Sequence, residues 1–104
     1  MRNNSIQIKD TVKFVRLTRP ILRLLNLILD VWTYHELTPT ITSANDSKHS
    51  VKSLHYKDMA LDIRIKDIHA DKLEKVMHTL KTSIGESWDV VLESDHIHAE
   101  FQPK

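Results

Sequence analysis

Met59-Ala60-Leu61-Asp62-Ile63-Arg64-Ile65 alternates from one residue to the next. Side chains of an extended strand point to opposite faces in turn. Met59, Leu61, Ile63 and Ile65 therefore share one face, and Ala60, Asp62 and Arg64 the other. The pattern predicts a strand with its apolar face on a core and its polar face free to carry chemistry.

Upstream, Ser43 to Lys52 is polar except for Ala44 and Val51, and it reads as a loop. Before it, Thr40-Ile41-Thr42 is β-branched and predicts a short strand. Ile21, Leu24, Leu25, Ile28, Leu29 and Trp32 recur at spacings of three and four, with Arg23, Asn26, Asp30 and Thr33 on the other side. This predicts an amphipathic helix with Thr18 or Arg19 at its cap, Pro20 in its first turn, and an end near Leu37, ahead of Pro39. Ile6-Gln7-Ile8 and Val12-Lys13-Phe14-Val15 suggest a strand or hairpin, and residues 1–5 a loose start.

Downstream, Asp67 or His69 caps a second helix whose stripe is Leu73, Val76, Met77, Leu80 and Ile84. Gly85, the one glycine, stands where a left-handed residue ends it. Trp88 to Leu92 and Ile97 to Phe101 read as paired strands joined through Ser94-Asp95. Helices and strands in this order predict an α+β fold: a small, mostly antiparallel sheet with two helices packed on one face.

At 104 residues the chain makes a single domain with one core. A net charge of +1 gives no electrostatic case for nucleic acid as a partner. The most apolar stretch, Ile21 to Trp32, is too short and too often interrupted to span a bilayer. Met1 to Lys13 lacks the apolar run of a secretory signal, so synthesis in a cytoplasm is expected. The oligomeric state is left open, with a monomer as the default. With no cysteine, any metal has to be held by His and carboxylate.

Seven His is many for so short a chain, and His49, His55, His96 and His98 fall in or beside two stretches, Ser53 to Asp62 and Glu93 to His98. Asp62 lies on the polar face of its strand, with His55 in the loop that feeds it. His96, His98 and Glu100 share one face of the last strand. Imidazoles and a carboxylate on neighbouring elements suit zinc. Spacing alone decides nothing: a His with an Asp seven residues on is expected about 0.6 times by chance in this composition. A solvated polar face and a ligand set both fit these residues.

Ser53-Leu54-His55-Tyr56-x-x-x-Ala60-x-Asp62 resembles the Ser-x-His-x-x-Gly-x-Ala-x-Asp signature of the zinc D-Ala-D-Ala carboxypeptidases and related peptidoglycan endopeptidases, which share the Hedgehog signalling-domain fold. Asp46-Ser47-Lys48-His49 through Tyr56, and Trp88-Asp89-Val90-Val91-x-Glu93-Ser94 with His96-Ile97-His98, are similar to Hedgehog segments. The resemblance covers Asp46 to Phe101. It implies zinc (Zn2+) held by His55, Asp62 and His98, with His96 as the other register for the third ligand. It implies Glu93 as the catalytic base, or Asp95 in the carboxypeptidase-like alignment. His96 and His49 are implied beside the metal to steady an oxyanion.

The implied activity is a phage- or bacteria-encoded metallopeptidase cutting the stem peptide or cross-bridge of peptidoglycan, reaching the wall at lysis, as an endolysin does, or as part of a virion. The other readings are a zinc-binding relative that binds without cutting, such as a phage structural protein, and a small fold without metal. Asp58 departs from the family by standing at its glycine. The upstream arginine that grips substrate has no match either; Asn45 or Lys48 occupies that region, and Arg64 is the candidate replacement.

Overall fold

The computed structural model describes residues 5–14, 16–44 and 59–103. The elements run β1 (Gln7–Ile8), α1 (Arg19–Tyr34), β2 (Thr40–Ser43), β3 (Ala60–Arg64), α2 (Ala70–Ile84), β4 (Trp88–Leu92) and β5 (His96–Phe101). They form the expected α+β fold. The sheet order is β1-β2-β3-β5-β4, and only the β1–β2 pairing is parallel. The sheet is therefore mixed, though mostly antiparallel. Parallel neighbours need a crossover, and α1 supplies it between β1 and β2. Of the strand or hairpin expected near the N-terminus, the strand forms at Gln7–Ile8 on the sheet edge, while residues 12–14 are not in a strand.

Both helices press the same face of the sheet. Ile21, Leu24, Ile28, Val31 and Trp32 of α1 and Val76, Leu80 and Ile84 of α2 are buried with Ile41, Leu61, Ile63, Val90, Ile97 and Ala99 from the strands. Val31, three residues beyond Ile28, is absent from the predicted stripe yet buried, while Leu25 and Leu29 on that stripe are only half-buried. The alternation in 59–65 falls as expected, with Leu61 and Ile63 inward and Asp62 and Arg64 half-exposed on the other face.

Helix ends follow local chemistry. Thr18, not Arg19, caps α1, its hydroxyl accepting the Ile21 N–H at 3.4 Å. The helix stops at Tyr34 rather than near Leu37. Leu37 N–H donates to the Trp32 carbonyl at 2.8 Å and Glu36 N–H to that of Thr33 at 2.9 Å. These are the two bonds of a Schellman end, and Glu36 at φ 62° takes the left-handed place usually given to glycine. His69 begins α2 without a side-chain cap bond. Gly85 closes it at φ 94° and ψ −177°, a region open essentially only to glycine.

Candidate functional site

The open face of the sheet carries the residues singled out above, arranged in rows across strands. Arg64 lies opposite His96, Asp62 opposite His98, and Ala60 opposite Glu100 between β3 and β5. On the β4 side, Val91 continues the His98 row and Asp89 the Glu100 row. Phe101 N–H donates to the Met59 carbonyl at 2.9 Å, which fixes the phase of the β3–β5 ladder. Residues 59, 61 and 63 then carry the hydrogen-bonded pairs, and Asp62–His98 is a non-hydrogen-bonded pair, the kind whose side chains stand closer.

The consequence is a direct bond: His98 Nδ1 lies 2.7 Å from Asp62 Oδ1. On its other side, His98 Nε2 lies 3.3 Å from Glu100 Oε1. The hydrogen bond to Asp62 and, after it, that to Glu100 outweigh the effect of burial and raise the His98 pKa to about 9. The protonated ring then donates from both nitrogens. Gln102 donates from Nε2 to Glu100 Oε2 at 3.0 Å, holding the second carboxylate in place.

His96 stands one row along. Its Nδ1 is 2.6 Å from Asp95 Oδ1, and its Nε2 is 3.6 Å from Asp62 Oδ2. Asp62 is thus shared by the two imidazoles. Asp95 sits in the turn with its side chain 83% exposed, so it acts on this face only through His96. Glu93 is exposed at the start of the same turn, and its N–H donates to the His96 carbonyl at 2.8 Å. It continues the Arg64–His96 row.

Of the predicted site residues, Asp62, His96, His98 and Asp95 are brought together, and Glu93 lies at the end of their row. His49 and His55 lie outside the described residues, as does Asp58. Among the described residues no group of three or more His, Asp and Glu is arranged to hold a metal. The donor chemistry nonetheless fits zinc in one respect. A zinc-bound His ordinarily gives its second nitrogen to a carboxylate, and both His98 (with Glu100) and His96 (with Asp95) have one in reach. Glu100 was placed on this face by the alternation of His96, His98 and Glu100, but that pattern gave no sign of its bond to His98.

Arg64 borders a cleft of about 200 Å3 with Gln7, Thr38, Thr40 and Asp67 at the end of the row. Among the described residues no helix is long and apolar enough to cross a membrane. The chain matches no known family model, no curated protein and no solved structure.

Proposed function

We propose that this chain is a zinc-dependent peptidase that hydrolyses peptide bonds of bacterial peptidoglycan, with His55, Asp62 and His98 as the residues that would hold the metal. The observation that carries the reading is His98, joined to Asp62 on one nitrogen and to Glu100 on the other. A ligand set needs a neutral ring oriented by a carboxylate, and zinc would replace the proton that His98 shares with Asp62 while Glu100 keeps the ring's other nitrogen. The resemblance of Ser53–Asp62 and Glu93–His98 to the peptidase signature supplies His55 as the remaining ligand and the substrate class. When bound, zinc would polarise the scissile carbonyl and acidify a water molecule.

The protein's own groups divide the remaining work. The Glu93 carboxylate takes a proton from the attacking water and delivers it to the leaving amine as the C–N bond breaks. His96, held at Nδ1 by Asp95, offers Nε2 to the oxyanion that develops on the carbonyl oxygen. His49 is the second candidate for that task.

Protein purified without added metal should contain about one zinc per chain. Zinc below roughly a tenth of that, not restored by adding the ion, would sink the proposal. Digestion of purified peptidoglycan should release new amino groups with wild type and not with Glu93→Ala. Zinc retained without any release would favour the binding-only alternative. Metal loss in His96→Ala with retention in His98→Ala would move the third ligand to His96.

A further inference from the structure

β4 ends the sheet, and no strand among the described residues covers its outer edge. Glu93 N–H donates to the His96 carbonyl at 2.8 Å, and Gln102 N–H to that of Ser87 at 2.6 Å. Hydrogen-bonded pairs recur at every second residue of an antiparallel ladder, so Asp89 and Val91 also turn their backbone groups toward β5. Trp88, Val90 and Leu92 therefore aim theirs outward, where no strand among the described residues pairs with them.

Natural proteins guard such edges by shortness, lysine, proline or a bulge. At the other end of the sheet, β1 is two residues long. β4 reads Trp-Asp-Val-Val-Leu, pairs with β5 without a register shift, and carries Asp89 as its one charge. Val91 is 38% and Leu92 47% exposed. Leu92 is on the core face, in line with Trp88 and Val90, yet it meets solvent.

We propose that β4 pairs antiparallel with β4 of a second copy of this chain, about a two-fold axis at Val90. In that register every outward group finds a partner: Val90 faces Val90, and Trp88 faces Leu92 of the other copy. Trp88 borders an open cleft of about 250 Å3 with Lys81, Ile84 and Gly85, which leaves room beside the ring for the incoming leucine. Asp89 faces Val91, so the acids stay apart. Shifting the strands by two residues in either direction sets Asp89 against Asp89 or against Glu93, and like charges directly opposite are unfavourable. Sequence and edge phase thus agree on one self-complementary register. The rows of the candidate site stay open, because the new pairing lies in the plane of the sheet.

A seam of five residues per chain is small, which places the dimer in the weak, concentration-dependent class. Sedimentation equilibrium from about 10 μM to 1 mM should show the mass rising from 12.1 kDa toward twice that value. Leu92→Lys should weaken association about tenfold or more, while Val91→Lys, which brings a lysine opposite Asp89, should preserve or tighten it. Asp89→Cys mixed with Val91→Cys should cross-link on oxidation as a mixed dimer, faster than either variant alone, and this readout does not depend on the lysine variants folding. A monomer throughout the range overturns the proposal. So does association that Val91→Lys abolishes and Leu92→Lys leaves intact, or cross-linking with no preference for the mixed pair. Association only with an added unrelated strand peptide overturns it too, in favour of a different occupant of the edge.

Discussion

His98 is a cation up to a pH near 9 because Asp62 and Glu100 hold its proton from both sides. A folded-state pKa raised above the ordinary 6.5 stabilises the fold fully below about pH 6.5, and that contribution is lost as pH rises through about 9. Its size is on the order of 2 kcal/mol once screening of a partly exposed side chain is allowed for. Metal-free wild type should therefore melt at a lower temperature at pH 10 than at pH 6. Asp62→Asn should remove most of that difference and return the His98 titration, followed by NMR, toward the ordinary range. An unchanged titration in Asp62→Asn would show that Asp62 is not what holds the proton.

Along β5, from His96 to Ala99, buried and half-exposed residues alternate, so packing and polar chemistry fall on opposite faces. Ile97 is fully buried and His96 is half-exposed on the opposite face. Ile97→Ala should cost about 2–4 kcal/mol in urea unfolding through the cavity it leaves, against about 0.5 kcal/mol for His96→Ala. Helix ends offer a second contrast. Glu36 bears a left-handed backbone that costs a non-glycine residue roughly 1 kcal/mol, so Glu36→Gly should stabilise by about 0.5 kcal/mol after the entropy of glycine is counted. Gly85→Ala should destabilise by about 1–2 kcal/mol although a Cβ there meets nothing within 4 Å. Comparing the two unfolding midpoints separates backbone strain from packing.

For the molecule as a whole, the sequence was most informative where a period repeats. The alternation in 59–65 and the spacings in both helices placed β3, α1 and α2 because burial imposes period two or 3.6 on the residues themselves. Features set by a single bond were not legible. Nothing in the residue types said that α1 would stop at Tyr34, since its end depends on Glu36 adopting a conformation its type disfavours. The parallel edge was hidden for a related reason: β1 is two residues long and offers no period. At the candidate site, the shared face of His96, His98 and Glu100 was legible from alternation. The bond between His98 and Asp62 was not, because it depends on the register between two strands whose bonded residues lie 36 positions apart in the chain.

The one-residue alternation of β5 also bears on how this protein could change over generations. Ile97, Ala99 and the residues facing them hold the fold, while His96, His98 and Glu100 project from the other side of the same strand. Substitutions on the outer side leave the buried contacts untouched, so this surface can change one residue at a time without disturbing the core. Inserting a single residue in β5 would do the reverse, turning the imidazoles inward and the isoleucine out. Lineages of this chain should therefore tolerate exchanges on that surface far better than length changes within the strand.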